Sequence, residues 1–245
     1  PSSTQGVSAA ASDVYKRQEY SPRKDIRTLP GTLSQHGYGT AHVGTFHLGT
    51  GPYPEKDRYG LDYLAALHGG TGFFNRSYYQ NEDGPTFFDG WAPEVETDLS
   101  IRFIERHLDA RPDDPFAVFV SWRPPHWPYK QYPDEHSVYD PADIDLPGNV
   151  PEQMEAFARQ EIADYYGCCT GLDAQMAQLL EALERLEVSE NTIICYTSDH
   201  GDHLSSHGYG KPFDHWMPES MRASKATPYD CLLYTSPSPR DGLLS

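Results

Sequence analysis

Three short apolar segments of this chain each end in a polar cluster that contains a histidine. The segments are 40–44, 116–122 and 193–196, and the histidines that follow them are His47, His126 and His200. Apolar blocks of this length, rich in β-branched and aromatic residues, are typical of strands covered on both faces of a parallel sheet. The carboxyl ends of parallel strands meet at one edge of a sheet, which is where ligands bind in open α/β folds. We therefore expect the three clusters to contribute to one site.

Helical patterns alternate with these apolar segments. A short helical pattern opens at 28–33 and stops at Gly37. Apolar residues recur at helical spacing in 94–108 and 152–186, and the second of these carries one leucine-rich face. The alternation predicts an α/β fold with a mostly parallel sheet flanked by helices. Two intervening segments lack a clear period: 69–90, rich in Gly and Asn, is predicted to be a long loop, and 132–151, rich in Pro and Asp, a surface excursion.

The charge balance limits the classes of partner. The 245 residues contain 36 Asp and Glu against 19 Lys and Arg, a formal net charge of −17. Nonspecific binding to nucleic acid or to an anionic membrane is therefore not expected. No window approaches the roughly 18 consecutive apolar residues of a membrane span. An anionic small substrate remains compatible with this charge if a bound divalent cation and a few basic side chains contact it.

Both ends of the chain differ in composition from its middle. Residues 1–18 and 231–245 are small and polar without an apolar period, and they resemble translated adapter sequence found at the ends of assembled fragments. The sequence therefore predicts that these two segments are not native. On this interpretation residues 19–230 are an internal part of a longer domain, truncated at both ends; the alternative is a pair of disordered native tails.

Asp199 and His200 are the strongest candidates for metal ligands. They follow the apolar segment 193–196, and Gly201 allows the backbone to turn away after them. A carboxylate beside an imidazole at a strand end suits a divalent cation. The alternative interpretation is a strand-end turn in which Asp199 caps a helix.

Four motifs occur in a fixed order and carry a family resemblance. They are GYGT through GTFHLG at 37–49, YGLDY at 59–63, PPHWPY at 124–129, and LD, TSDHGD and SHG between 172 and 208. This ordered set resembles the formylglycine-dependent sulfatases of the alkaline-phosphatase superfamily. The resemblance implies an alkaline-phosphatase-like fold and a sulfuric ester hydrolase as the parent protein. Its substrate would be a small-molecule or glycan sulfate ester.

The resemblance also assigns expected roles to single residues. Asp199 and His200 would ligate a divalent cation, usually calcium in that family, and His47 and His126 would contact the sulfate group. A family lysine follows this block, four residues before a tyrosine. Lys225 has that spacing and is preferred over the rival Lys211.

Three departures from the family pattern limit these expectations. The family's nucleophile, a Cys or Ser in a C/S-x-P-S-R segment that is oxidised to formylglycine, does not occur in this chain, nor do the paired aspartates that supply further metal ligands. We therefore expect at most half of a metal site, and no catalytic activity from this chain alone. In addition, Thr45 stands where the family typically has a lysine, which removes a positive charge from the sulfate contacts.

Two alternative functions remain open at the level of sequence. One is a phosphate or phosphonate ester hydrolase of the same superfamily, because both reactions transfer a charged tetrahedral group beside a metal. The other is a non-catalytic homologue that binds sulfated glycans, which the change at Thr45 keeps open. Family members are often exported, but no export segment occurs in this chain, and the sequence gives no indication of oligomeric state.

Overall fold

The computed structural model describes residues 26–70 and 72–206. The chain divides into two compact units, the first made of Pro1–Gln131 and Leu172–Ser189, the second of Tyr132–Gly171 and Glu190–Ser245. In the described part of the chain, no helix is long and apolar enough to cross a membrane.

The first unit is built on a five-stranded mixed sheet. Its strands are β1 (Gly39–Gly44), β2 (Tyr63–Leu67), β3 (Phe74–Gln80), β4 (Pro85–Trp91) and β5 (Phe116–Ser121), in the spatial order β4-β3-β2-β1-β5. The pairs β1–β2 and β1–β5 are parallel, whereas β2–β3 and β3–β4 are antiparallel. The predicted α/β fold is confirmed, and its parallel part is the trio β2-β1-β5.

Helices cover the sheet much as the sequence predicts. The helices are α1 (Leu29–Gln35), α2 (Ala92–Ala110) and α3 (Glu155–Arg185), each within a few residues of its predicted bounds. Helix α1 begins at Thr28, whose hydroxyl accepts a hydrogen bond from Gly31 N. The α2 side chains Leu99, Phe103 and Ile104 form two clusters with buried residues of β1 and β2.

The opposite face of the sheet packs against a loop. Leu64 and Ala66 of β2 form a cluster there with Tyr53 and Leu61, and Phe46 and Phe119 pack against that cluster. The parallel strands β1 and β2 are thus covered on both sides, as expected of strands in an α/β sheet.

A pair of motif residues ties the starts of β1 and β2 together. Thr40 N donates to Asp62 Oδ2 (2.9 Å), Thr40 Oγ1 donates to Gly60 O (2.8 Å), and Asp62 N donates back to Thr40 Oγ1 (3.1 Å). Thr40 is fully buried, so these bonds satisfy polar groups that water cannot reach. The GYGT and YGLDY motifs therefore have a structural role at the amino ends of the strands.

The predicted loop at 69–90 is wrong, because most of it forms the hairpin of β3 and β4. Aromatic residues on the two strands pack together, as Tyr78 does with Phe88 at a ring separation of 5.8 Å. The segment N81-E-D-G84 forms the turn between the strands. The Gly and Asn content that suggested a loop comes from this turn and from the ends of the hairpin, whereas the strand interiors are aromatic and favour β-structure.

The predicted core strand at 193–196 is also wrong. This segment is not in a strand, and Ile193, Ile194 and Tyr196 are 92%, 47% and 70% exposed. A strand requires a neighbour that takes up its backbone hydrogen bonds. The described residues of its unit, 132–171 and 190–206, contain no strand that could be this neighbour.

The other described residues of the second unit form mainly short turns and irregular segments, apart from the first part of α3. Three 3₁₀ turns, at Asp134–His136, Pro141–Asp143 and Glu152–Met154, interrupt the segment before the helix. Ile144 anchors this segment by packing with Ile162 and Ala163 of α3. Most of 132–151 is exposed or partly exposed, in agreement with the predicted surface excursion.

Gly44, at the carboxyl end of β1, is a position that a side chain should disrupt. Its φ is +110°, and a Cβ there would lie 2.3 Å from Ser121 O on β5. We expect Gly44→Ala to lower the free energy of unfolding by about 2–4 kcal/mol, because the left-handed backbone and the clash both oppose it. Urea denaturation would measure this change. Gly84→Ala is the control, since nothing lies within 4 Å of its added Cβ; equal losses in both variants would contradict the argument.

Candidate active site at the sheet edge

The carboxyl ends of β1 and β5 place His47 and His126 at the same edge of the sheet. The two strands are adjacent and parallel, with Gly44 opposite Ser121 at their ends, and Thr45 N continues the pairing by donating to Ser121 O (3.0 Å). His47 and His126 follow within a few residues, and both are exposed. This arrangement is the one predicted for these histidines from the sequence.

The turn that carries His126 is fixed by backbone hydrogen bonds. His126 N donates to Arg123 O (3.0 Å), and His126 Nδ1 lies 2.5 Å from Trp127 O. Because a carbonyl oxygen only accepts, Nδ1 is the protonated ring nitrogen. In the neutral imidazole, Nε2 then carries the lone pair. Buried Pro124 and Tyr129 hold the two sides of this turn.

His42 fixes the turn that carries His47, a role that the sequence analysis did not assign. Its Nε2 donates to Thr45 O (2.9 Å), and its ring packs against Phe46 at 5.1 Å. Burial lowers the pKa of His42, and the bond to Thr45 only partly offsets this effect. His42 is therefore a neutral support for the turn and not a candidate acid.

A buried carboxyl group lies beneath the ends of β1 and β5. Glu96 of α2 is fully buried, and its Cδ lies 3.4 Å from the position of a Cβ on Gly44. Tyr78 donates to Glu96 Oε1 (2.9 Å), while Oε2 has no hydrogen-bond partner among the described residues. Burial raises the pKa of Glu96 to about 8, although Tyr78 and Arg123 oppose this shift. Glu96 is thus protonated at neutral pH.

Glu96 was not among the predicted site residues, although a signal for it exists. It lies three residues before Leu99 and seven before Phe103, and both of these are on the buried face of α2. An ionisable residue on the apolar face of a helix is rare and needs a partner. That partner, Tyr78, comes from the hairpin of β3 and β4, a region for which the sequence predicts a loop.

Asp199 and His200 lie in the second unit. His200 N donates to Asp199 Oδ1 (3.0 Å), and His200 Nε2 is 3.4 Å from Asp199 Oδ2. His200 Nδ1 lies 2.7 Å from Gly201 O, so Nδ1 is the donor and Nε2 the nitrogen with a lone pair in the neutral ring. The Asp199 side chain is 86% exposed.

The loop after this pair is anchored to α3. Ser205 Oγ donates to Glu161 Oε2 at 2.6 Å, and Leu204 N donates to Asp202 Oδ1 at 3.1 Å. Burial raises the pKa of Glu161 to about 7, an effect that Ser205 opposes and Asp202 reinforces. Glu161 was not among the predicted site residues; it is the second carboxyl group, after Glu96 of α2, whose pKa is raised by burial.

Asp199 and His200 offer atom types that bind divalent cations, but two residues are too few to complete the coordination of such a cation. Asp199 offers carboxylate oxygens and His200 an imidazole nitrogen, whereas Ca²⁺ takes six to eight oxygen ligands. Among the described residues, no group of three or more His, Cys, Asp or Glu side chains could hold a metal ion. Two ligands do not make a complete metal site, and metal binding by Asp199 and His200 stays a prediction.

Lys225 and Lys211, the two predicted sulfate-contacting lysines, lie outside the described residues. The predicted non-native segments 1–18 and 231–245 lie outside them as well. The assignments for these residues stay predictions.

Comparison with known proteins identifies the family. The sulfatase family model matches residues 1–235. The chain is 31% identical over 206 residues to an ulvan-active sulfatase of Formosa agariphila, and the match covers 82% of this chain and 40% of that protein. It is 25% identical over 228 residues to an endo-4-O-sulfatase of Bacteroides thetaiotaomicron, with 81% and 44% covered.

Comparison with solved structures identifies the same family. A solved structure of a Bacteroides fragilis protein named as the sulfatase yidJ superposes with a TM-score of 0.69 at 26% identity, covering 78% of this chain and 47% of that one. The chain therefore belongs to the sulfatase family, with the alkaline-phosphatase-like fold of that family. It spans less than half the length of these three relatives.

The buried carboxyl group predicts a pH-dependent stability. The pKa of Glu96 is about 8 in the folded chain against 4.5 when unperturbed, so the folded state binds the extra proton between these values. The free energy of unfolding should fall as the pH rises through this window, by on the order of 1 kcal/mol per pH unit. Glu96→Gln, which is neutral at every pH, should remove this part of the slope.

Urea denaturation between pH 5 and pH 9 would compare the two proteins. Glu82→Gln serves as the control, because Glu82 is exposed in the turn between β3 and β4. Identical slopes for wild type and Glu96→Gln would show that Glu96 is already ionised in the folded chain.

Proposed function

We propose that the protein to which this chain belongs hydrolyses sulfate esters of glycans. The observation that supports this most directly is the pairing of β1 with β5, which brings the His47 and His126 turns to one sheet edge. Both histidines occupy motif positions that the sulfatase resemblance assigns to sulfate contact. Family membership supports the reaction class.

The two imidazoles suit a group that gains negative charge in transfer. A neutral histidine has one N–H, and in His126 this N–H already donates to Trp127 O. A protonated His126 has a second N–H, at Nε2, that donates to a sulfate oxygen and adds a positive charge. The backbone bonds of His126 and the His42 contact with Thr45 O hold the two turns in place. Preorganised donors of this kind contribute more than flexible ones, because they need no reorganisation as the charge develops.

Asp199 and His200 would hold a divalent cation together with ligands from elsewhere. Such a cation polarises the ester oxygens and neutralises developing charge. The exposed carboxylate of Asp199 supports its proposed role as a ligand. For His200 the support is the hydrogen bond from Nδ1 to Gly201 O, because metal-ligating histidines commonly donate their other ring N–H to a carbonyl oxygen. Calcium and an upstream formylglycine are proposed on the family resemblance alone.

A glycan substrate is proposed from the relatives. One of them is named for its action on ulvan and another for an endo-acting 4-O-sulfatase activity. The exposed edge beside His47 and His126 is compatible with an extended substrate.

Hydrolysis by the full-length protein tests the reaction class. We expect turnover of p-nitrophenyl sulfate to exceed that of p-nitrophenyl phosphate, whereas the 245-residue chain alone should turn over neither. A preference for phosphate would instead support a phosphate ester hydrolase. The absence of turnover combined with retained binding of a sulfated oligosaccharide would support a non-catalytic glycan-binding protein.

Substitution of the two edge histidines tests the site. In the full-length protein, His47→Ala and His126→Ala should each lower kcat/KM for p-nitrophenyl sulfate by about 10²–10³-fold, the loss typical of one preorganised donor. His36→Ala is a matched control, because His36 is exposed at the end of α1 and precedes β1, on the amino side of the strands. If all three variants lost activity equally, the proposed contact would be wrong.

A further inference from the structure

Two arginines lie together beside the end of β2, outside the site described so far. Arg123, which follows β5, donates from Nη1 to Gly70 O (2.7 Å), and Arg76 of β3 donates from Nη2 to His68 O (2.9 Å). A Cβ on Gly70 would lie 2.6 Å and 2.7 Å from the two terminal nitrogens of Arg76. Both guanidinium groups are thus fixed against the segment that leaves β2.

No carboxylate neutralises this pair within the described part of the chain. There, neither guanidinium has a carboxylate oxygen within the 4.0 Å of an ion pair, and Arg76 Nε is buried without a hydrogen-bond partner. This is unusual in a chain with a net charge of −17, where acidic side chains outnumber basic ones. The acidic group that acts on Arg123 most directly is Glu96, which is protonated at neutral pH.

Holding two guanidinium groups together without an anion costs free energy. Burial lowers the pKa of Arg123, and the neighbouring Arg76 lowers it further. The cost of such like-charge proximity is offset when an anion binds between the groups. Guanidinium suits this role because its planar donors match the oxygens of a carboxylate or a sulfate.

The arginine pair is displaced from the two edge histidines. His47 follows β1 and His126 follows β5, whereas both arginine contacts fall on 68–70, directly after β2. Neighbouring strands lie about 4.8 Å apart. The pair is therefore roughly one or two strand spacings from the histidines along the same edge, about the distance between substituents on adjoining positions of a glycan.

We propose that Arg76 and Arg123 form a subsite for a second anionic group, a carboxylate or a sulfate, on the glycan whose scissile sulfate His47 and His126 contact. This inference rests on the proposed function. It makes the preferred substrate a polyanionic glycan and not a glycan with a single sulfate. The guanidinium groups bind the second anion and take no part in the chemistry at the scissile ester.

Kinetics of the full-length enzyme with four probes would test the subsite. The probes are a monosulfated oligosaccharide that contains a uronic acid, the same oligosaccharide with its carboxylates reduced to alcohols, a disulfated oligosaccharide without carboxylates, and p-nitrophenyl sulfate. Arg76→Gln and Arg123→Gln should each raise KM about tenfold for a probe with a second anion, the loss expected for one charge-assisted contact. The value of kcat should stay unchanged, as should both constants for the carboxyl-reduced probe and for p-nitrophenyl sulfate.

The two sources of the anion give different results. If the arginine substitutions raise KM only for the uronic acid probe, the subsite binds a carboxylate. If they raise KM only for the disulfated probe, the subsite binds a sulfate. Arg106→Gln is the matched control: it also removes one positive charge, but Arg106 lies over the Tyr63 ring (5.5 Å) at the opposite end of β2. Thermal melting of each variant would verify folding, and Arg123→Lys should recover part of the affinity.

Equal changes for all four probes would overturn the inference, because the arginines would then act on the scissile sulfate. No change for any probe would overturn it as well. If the wild-type protein hydrolysed none of the probes, the proposed function would fail. Calorimetric titration of the three oligosaccharides would still decide the subsite, since it compares affinities with and without the second anion and needs no turnover.

Discussion

The parallel pairing of β1 with strands on both sides is the constraint on which the described site depends. Because β2 and β5 both run parallel to β1, the carboxyl ends of all three strands lie at one edge of the sheet. The strand pairing therefore fixes the position at which each following segment begins. The Thr40 and Asp62 hydrogen bonds fix the amino ends of β1 and β2. Strand β1, which precedes His47, is therefore held by hydrogen bonds at its amino end and by its pairing with β5 at its carboxyl end.

The edge is also shaped by what lies beneath it. Gly44 leaves room between β1 and β5, and Glu96 approaches from α2 below. A protonated carboxyl group at this place contributes polarity without a negative charge, so it does not repel an anionic substrate at neutral pH. This buried acid therefore adds no negative charge to the edge of a sheet in a protein whose net charge is strongly negative.

The sequence predicts strands β1 and β5, the helices, and the positions of His47 and His126 after those two strands, because apolar strands and amphipathic helices have strong local periods; it does not predict β2, the third parallel strand. It fails where structure depends on partners distant in sequence. The hairpin of β3 and β4 is missed for a different reason, since its strands are close in sequence: the Gly and Asn content of its turn and ends favours a loop, although Tyr78 and Phe88 pack together across the two strands. The segment 193–196 has the composition of a strand, but no strand lies beside it among the described residues of its unit. Arg76, Arg123 and Glu96 escape prediction because they come from three elements that meet only in the folded chain.

The exposed apolar segment at 193–196 has a consequence for handling the protein. Ile193, Ile194 and Tyr196 are exposed in a stretch with no charge and no proline from Thr192 to Ser198. Short, uncharged segments with high β-propensity pair readily with copies of themselves and start aggregation. Material prepared as this chain alone is therefore expected to self-associate through the stretch that precedes Asp199.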